Sequence, residues 1–498
     1  MVTLTDLNRS NPWWSSGSGF GALDADLKGY NSQMIKVARR LPDMRAGSIY
    51  LIKGPRRAGK TVALKLFVQD LMENGARGGD ILYYSFDGVR NQEELRNMLE
   101  SFLGKVHKTT YLLLDEIQGV SGWEFVIKHL YDSGALGDSI TVITGSIAHL
   151  LKREMLPGRG IEGNVYNMRT LSFNDFCITL AGAAINGAAA DMFGSSTTKE
   201  ALSSLLTTLK RTAIDMDDDI NGIYAAASAA APFSAALRKL FDLYMRTGGY
   251  PIAINDYFRN GGDGIGGNVA DEIYNYLLND AATLAGSALG DPAKARLVLK
   301  ACMRNIGSIA SYNKLAAYVD LNQKTFSSYA ARLQNSYAML TLNGVDKDLA
   351  DLRAKKVYFA DVFMHYAVGS KLDGEDVNAY YSKISNTEAI GTAVEEIVAG
   401  HLIRVREAEP ITYESYLKFF RNASGREIDF IYKRSSASFV GIEVKYQNDA
   451  SLKNDIYKIK SISEYILLTK DTLERGQNAI AMPVYIFLAL LGKSEHDL

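Results

Sequence analysis

The sequence predicts an α/β protein with two sheet-bearing units separated by helices. Three observations predict it. Short apolar, β-rich runs alternate with helical spacing between about residues 48 and 146. A helix-rich stretch lies further on, from about 241 to 345. A second set of β-rich runs then begins near 355. Strands alternating with helices build a mostly parallel, doubly wound sheet, whose ligand sits beyond the carboxyl ends of the strands. The chain length of 498 residues agrees, because one hydrophobic core does not serve so long a chain; about 150 residues per domain gives roughly three.

The elements follow in order. "GSIYLIKG" is apolar and β-rich and stops at Gly54, and "GKTVALKLFVQDLMEN" carries apolar residues at helical spacing. "DILYYSFDG" reads as a strand, "QEELRNMLESFLGKV" as a helix, and "TTYLLLDEIQG" as a strand ending in acids. "WEFVIKHLYDSG" is a helix and "DSITVITGS" the next strand. From 178 to 240 the chain is rich in Ala, Gly and Ser around an acidic "DMDDD", which predicts small helices and mobile loops. "YNKLAAYVDLNQKTFSSYAARLQNSYAMLTL" gives a helix, a turn at Asp320–Gln323, a second helix and a β-rich run, the texture of a helix-turn-helix or winged helix. "KKVYFADVFM" is strand-like, "TAVEEIVAGHLIRV" is a helix, and strands follow in "REIDFIY", "FVGIEVKY" and "EYILLTK". The terminal "VYIFLALLG" reads as a buried strand. The resulting division is 1–177, 178–250, 251–350 and 351–498.

Composition narrows the function classes. Apolar content of 47% and charged content of 22% are those of an ordinary soluble globular protein. A net charge of −1 gives no global basic excess, so any nucleic-acid contact must be a local patch. Two distant cysteines, Cys177 and Cys302, cannot build a zinc cluster and suggest a reducing compartment. The first residues lack the charged-then-apolar pattern of a signal peptide, and the longest apolar run is about half a membrane span. The expectation is a cytoplasmic protein with no membrane partner.

The chemistry begins at G-x-x-x-x-G-K-T, Gly54 to Thr61, in the strand–loop–helix setting that this pattern needs. The residues Gly54, Pro55, Arg56, Arg57, Ala58, Gly59, Lys60 and Thr61 form a loop whose backbone N–H groups cradle phosphates. The following helix adds its positive end. Lys60 would reach the β- and γ-phosphates of ATP, and Thr61 would bind Mg²⁺. Asp115 ends an apolar strand and would hold the same Mg²⁺, while Glu116 would act as general base on water. "VITGS" ends the next strand, so Thr144 or Ser146 could reach the γ-phosphate or the water. Arg159, in "LPGRG", is a candidate arginine finger; the other reading is a surface arginine. Arg56 and Arg57 either add charge near the phosphates or face solvent, and solvent is the expectation.

These pieces resemble a known family. "GSIYLIKGPRRAGKT", "YLLLDEIQ", "ITGS", "LPGRG", "YNMRTLSFNDF", "TGGYP", "YFAD", "GTAVEEIVAGHL", "EIDFIY" and "GIEVKY" are similar, in order and spacing, to archaeal and bacterial ATPases of the AAA+ superfamily with a C-terminal domain of uncharacterised function. The resemblance covers most of the chain. It implies that Lys60, Thr61, Asp115 and Glu116 serve the nucleotide, that Ser146 is a sensor-like residue, and that Arg159 is the finger. If Arg159 acts in trans, the protein is a homo-oligomer.

In the C-terminal part, Asp429, Glu443 and Lys445 form D…ExK across two adjacent β-rich runs. Glu443 and Lys445 share one strand face by period two. Two carboxylates can bind a divalent metal beside a lysine that orients water. This is the signature of PD-(D/E)xK folds, the restriction-endonuclease-like class, in which Glu395 matches a further acid. The other reading is a salt-bridge cluster in a fold kept for binding. Lys324, Ser327, Ser328 and Arg332 lie on or near the second middle helix and make a thin candidate face for DNA; the other reading is interdomain packing.

Overall fold

The computed structural model describes residues 4–86, 91–104, 109–146, 164–194, 198–282, 290–407, 412–422 and 424–492. The first sheet is parallel throughout. Its strands are β1 (Ser48–Lys53), β2 (Ile81–Ser85), β3 (Thr110–Asp115), β4 (Ser139–Gly145) and β5 (Val165–Asn167), in the order β2-β3-β4-β1-β5. Runs such as Leu112–Leu114 and Ile140–Ile143 are buried because helices cover the faces of this sheet, and parallel strands therefore read as continuous apolar runs. The helix Lys60–Glu73 leaves β1 at the strand's carboxyl end, as the phosphate-loop reading requires.

The Ala-rich stretch differs from expectation. Its described residues are mainly helices, Phe173–Ile185, Lys199–Arg211, Ile220–Ala230 and Ser234–Thr247. Alanine has the highest helix propensity, and here it also lets helices approach closely: Ala181, Ala184, Ala227 and Ala230 are buried. The described run Ile220–Thr247 has the length and mean hydropathy of a membrane span, but Ile220, Ile223, Leu237, Leu240 and Phe241 are buried within the protein.

The middle stretch holds the helices Gly267–Ala282, Pro292–Met303, Tyr312–Tyr318 and Gln323–Asn335. The last two meet through a short turn in which Asp320 has a φ of 54°. They lead into the antiparallel pair β6 (Met339–Val345) and β7 (Asp351–Phe359). These strands belong to a second sheet with β8 (Leu417–Arg421), β9 (Glu427–Lys433), β10 (Phe439–Lys445), β11 (Glu464–Thr469), β12 (Glu474–Arg475) and β13 (Ala479–Pro483), in the order β12-β13-β11-β10-β9-β8-β6-β7. A border at 350/351 therefore runs through the β6–β7 turn.

One secondary-structure expectation is overturned. Val484–Leu490 is a helix, buried along its whole length, not a strand. Pro483 ends β13 and stands at the helix N-cap. An apolar run buried on every side has no periodicity to separate helix from strand. Its companions are the helices Phe173–Ile185, Ile220–Ala230 and Ser234–Thr247, so the Ala-rich region packs on the C-terminal unit.

Candidate functional site

The nucleotide-site residues gather at the carboxyl ends of β1, β3 and β4. The Thr61 hydroxyl donates to Asp115 Oδ2 at 2.7 Å, and the Tyr83 hydroxyl donates to the same oxygen at 2.9 Å. Thr144 donates to the other oxygen, Oδ1. Thr61 and Asp115 thus present adjacent oxygen donors of the kind Mg²⁺ takes while it keeps several waters. Lys60 is buried; its Nζ donates to the carbonyls of Gly54 and Pro55 at 3.0 Å and lies 3.4 Å from Glu116 Oε1. Burial pushes the Glu116 carboxyl up, but the Lys60 charge and a hydrogen bond from Gln118 outweigh it, and the net shift is downward. Glu116 is therefore an ionised carboxylate at neutral pH. Its backbone is left-handed, φ 51°, and its N–H donates to Thr144 Oγ1 at 3.1 Å.

Gln118 was not singled out from the sequence. Its amide donates to Glu116 and, at 3.1 Å, to Ser146 Oγ, so it ties the candidate base to the end of β4. "DEIQ" contains it, but nothing in the pattern separates Gln118 from a turn residue. Thr144 and Ser146 divide the work: Thr144 holds Asp115 and the Glu116 backbone, and Ser146 meets Gln118. Arg159 lies outside the described residues.

Arg57 is exposed, as expected, and Arg56 is half-buried, but both are engaged by the middle region. Arg56 Nε lies 3.3 Å from Asp280, Arg57 pairs with Glu272, and both guanidinium groups lie over the Tyr276 ring, at 5.5 and 5.8 Å. All three partners stand on the helix Gly267–Ala282, one turn apart, so an amphipathic helix face from the middle region closes on the phosphate loop. Burial pushes the Asp280 carboxyl up to about 6, against the pull of Arg56. A carboxyl raised above its unfolded value makes the folded state bind more protons, so stability falls as pH rises from about 4 to about 6. We expect Asp280→Asn to remove that fall, at most about 3 kcal/mol. Denaturation midpoints of both proteins at pH 4.5 and 7 check it: the difference between them should change across that window.

The phosphate loop is also joined to the rest of the chain by the segment that follows β5. Gly54 has no side chain where a Cβ would lie 1.9 Å from Met168 O, and Met168 N donates to Lys53 O at 2.7 Å. Successive residues then engage other regions. Tyr337 OH donates to Asn167 at 2.6 Å; Arg169 pairs with Glu407 and lies over the Tyr337 ring at 4.7 Å; Arg404 donates to Thr170 O at 2.7 Å; Leu171 N donates to Gly249 O at 2.9 Å. The "TGGYP" and "YFAD" motifs meet here: Gly249 N donates to Asp361 Oδ2 at 2.9 Å, and a Cβ on Gly248 would lie 1.9 Å from the other Asp361 oxygen.

In the C-terminal unit, β9 and β10 are antiparallel neighbours, and they bring Asp429 beside Glu443 and Lys445. Asp429 Oδ2 accepts from Val444 N at 2.9 Å, and Lys445 Nζ lies 3.6 Å from Glu443. The helix Ala389–Leu402 brings Glu395 to the same pocket, while its neighbour Glu396 turns away to His365 and Phe359 N. Three members were not read from the sequence: Lys356 and Tyr358 on β7, and Glu427 on β9. Each is two residues from another member along its strand, which is the signal that was present. Lys356 Nζ lies 2.7 Å from Glu395 and 3.5 Å from Asp429 and pairs with Glu427; Tyr358 donates to Glu395. Burial alone would lower the Lys356 ammonium, but Tyr358 and the three acids raise it overall. Burial and the neighbouring Asp429 push the Glu443 carboxyl up. Oxygens of Glu395, Glu427 and Asp429 come within 4.8 Å of one another, a spacing that suits a cation, but the ammonium of Lys356 stands among them. Lys356 thus stands where a cation shared by Glu395, Glu427 and Asp429 would sit, and Asp429 also belongs to the Asp429–Glu443 pair at which the sequence places a second metal.

On the helix Gln323–Asn335 the two readings divide by residue. Arg332 turns inward, with Nη1 donating to Ala281 O at 3.0 Å and its guanidinium over Tyr329. Lys324 and Ser328 stay exposed and Ser327 is half-buried. A helix residue that faces Gly267–Ala282 cannot also face a phosphate backbone.

Comparison with known proteins agrees with the first unit. Residues 46–177 match the model of an AAA domain. Residues 238–376 and 390–487 match two domains of unknown function, DUF8612 and DUF4143. An uncharacterised protein of Haemophilus influenzae is 33% identical over 136 residues, 26% of this chain and 32% of that protein. An uncharacterised protein of Methanocaldococcus jannaschii is 31% identical over 135 residues, 26% of this chain and 28% of that protein. The chain thus spans about a third of the length of the curated relatives it matches. Among solved structures, the Aeropyrum pernix ORC1 protein in complex with DNA aligns at 14% identity over 67% of this chain and 88% of that one, with a TM-score of 0.33. A point mutant of Thermotoga maritima RuvB aligns at 15% identity over 68% and 89%, with a TM-score of 0.25. Alignments this loose carry no argument of their own. The family match and the parallel five-stranded sheet give the conclusion for the first unit: this chain carries an AAA-type ATPase domain.

Proposed function

We propose that the chain binds Mg-ATP at Gly54–Thr61, hydrolyses it with Glu116 as general base, and passes the nucleotide state to its C-terminal unit. The observation that carries this reading is the convergence of Lys60, Thr61, Asp115 and Glu116 at one sheet edge, with Thr61 2.7 Å from Asp115 and Lys60 3.4 Å from Glu116. Mg²⁺ held by Thr61 and Asp115 would supply charge stabilisation on the phosphate oxygens. Lys60 would exchange its bonds to Gly54 and Pro55 carbonyls for phosphate oxygens, and Glu116 would accept the proton of the attacking water. Gln118 and Ser146 keep Glu116 oriented. We expect Lys60→Ala to weaken ATP binding by roughly 30–150-fold, the worth of about 2–3 kcal/mol for a charged hydrogen-bonding group, and to stop turnover. Titration with a fluorescent ATP analogue measures the first effect and phosphate release the second.

Transmission is supported by the 167–171 segment, which touches the phosphate loop at one end and Glu407, Arg404, Gly249 and Tyr337 at the other. The middle region is winged-helix-like in its element order, two helices and then the β6–β7 hairpin. The C-terminal unit is nuclease-like in its order: the helix Ala389–Leu402, the antiparallel β8–β9–β10, then a parallel β11. It departs from that fold in the connection 446–463, which holds turns where a crossover helix is expected.

Lys356 favours a second reading of this unit, as a binding module without nuclease turnover that the ATPase controls. ATP turnover, measured with and without duplex and single-stranded DNA across protein concentration, separates the two. Stimulation by DNA supports action on DNA; no stimulation and no binding at low salt leave the switch. A rise of specific activity with concentration indicates an oligomer. Mn²⁺-dependent nicking that persists unchanged in Glu443→Ala comes from a contaminant.

A further inference from the structure

The C-terminal pocket gathers four carboxylates, Glu395, Glu427, Asp429 and Glu443, and two ammonium groups, Lys356 and Lys445. The two lysines are not alike. Lys445 is more than a third exposed and touches only the Glu443 carboxylate among the ion pairs of the pocket. Lys356 has 2% of its side chain exposed and reaches three carboxylates. Its distances to Glu395 and Asp429, 2.7 and 3.5 Å, show its Nζ in the space those oxygens share. A divalent ion bound to the same oxygens would sit about 2–2.6 Å from each. It would then lie against the ammonium, inside a buried pocket where like charges are poorly screened.

The position of Lys356 is fixed on both edges of β7, by its pairing with Leu342 of β6 on one side and by the middle region on the other. Its neighbours along β7 are both paired with the middle region: Lys355 N donates to Ala310 O at 3.0 Å and Ala310 N to Lys355 O at 2.9 Å, while Gly307 N donates to Val357 O at 3.1 Å. The aryl ring of Phe419 lies 5.6 Å from Nζ.

We infer that Lys356 is a tethered counter-cation, whose ammonium fills the seat among Glu395, Glu427 and Asp429 and keeps the nuclease-like pocket closed to divalent metal. The middle-region segment 306–310 on one edge of β7 and β6 on the other together hold it there. The inference deepens the reading of the C-terminal unit given above and rests on it, but its test uses neither nucleotide nor DNA.

Mn²⁺ binding to the full-length chain is measured by electron paramagnetic resonance, without nucleotide, for wild type, Asp429→Asn, Lys356→Met and Lys356→Met/Asp429→Asn. Only Mn²⁺ that Asp429→Asn removes is assigned to this pocket, so ions at the Thr61–Asp115 site cancel. Wild type and Asp429→Asn should bind equally, within twofold. Lys356→Met should gain one Mn²⁺, at least tenfold tighter than any wild-type binding at the pocket, and the double variant should lose it. Wild-type Mn²⁺ that disappears in Asp429→Asn overturns the inference, and so does a folded Lys356→Met that gains no ion. If Lys356→Met does not fold, the wild-type comparison still decides. Phosphate release by wild type in the same preparation reports on the ATPase reading separately.

Discussion

Glu116→Gln should keep ATP binding within a few-fold of wild type and lower the hydrolysis rate by about 10²–10⁴-fold, the contribution of a positioned general base. The effect is large because the site commits this one carboxylate to the water. Asp115 is held by Thr61, Tyr83 and Thr144 and is the carboxylate that would serve Mg²⁺. Glu116 is kept ionised by Lys60 against the cost of burial. The amide of Gln is the same shape, so Gln118 and Ser146 keep a hydrogen-bonding partner and the loop keeps its fold. The proton acceptor is lost, and with it the charge that faces Lys60. Single-turnover phosphate release, with nucleotide affinity measured alongside, checks both halves. Normal turnover would mean that another group activates the water.

Gly54→Ala should have the second large effect, on folding and on binding together. The new methyl would meet Met168 O at 1.9 Å and Met168 C at 2.8 Å, and both are backbone atoms that no rotamer change can move. Either β5 leaves β1 or the loop shifts. Overpacking against side chains costs about 1–3 kcal/mol, and a backbone obstacle puts this substitution at the upper end or beyond. Thermal unfolding should begin earlier, and ATP affinity should fall even though position 54 offers the nucleotide no side chain. A methyl is already accommodated elsewhere in the loop, at the buried Ala58.

Strands β1 to β4 of the first sheet were legible in the sequence because their information is local, whereas the three-residue β5 was not. "LLLDE" and "GPRRAGKT" each state a strand end and a chemistry within a few residues, and parallel strands covered on both faces read as plain apolar runs. The terminal helix Val484–Leu490 was misread for a related reason: uniform burial erases the periodicity that marks a helix. The contacts that decide the rest are long-range. Arg56 meets Asp280 across 224 residues, and Lys356 meets Glu395 across 39. A lysine in "KKVYF" and an aspartate in "YNYLLNDAA" look like ordinary surface charges until the fold buries them. Arg332 failed in the opposite direction: a basic residue on a candidate DNA helix is drawn to the backbone carbonyl of Ala281.

The claim that nucleotide state reaches the C-terminal unit is tested most directly by hydrogen exchange of the full-length Glu116→Gln chain with and without Mg-ATP. That variant holds ATP without consuming it, so the comparison is between two defined states. Coupling predicts altered exchange not only at 54–61 and 110–118 but also along 165–171, at 248–250, and at 401–405 and 361–363, in the order of the contacts that join them. Changes confined to 54–61 and 110–118 would contradict it, and would leave an ATPase domain that shares a chain with the C-terminal unit but does not control it.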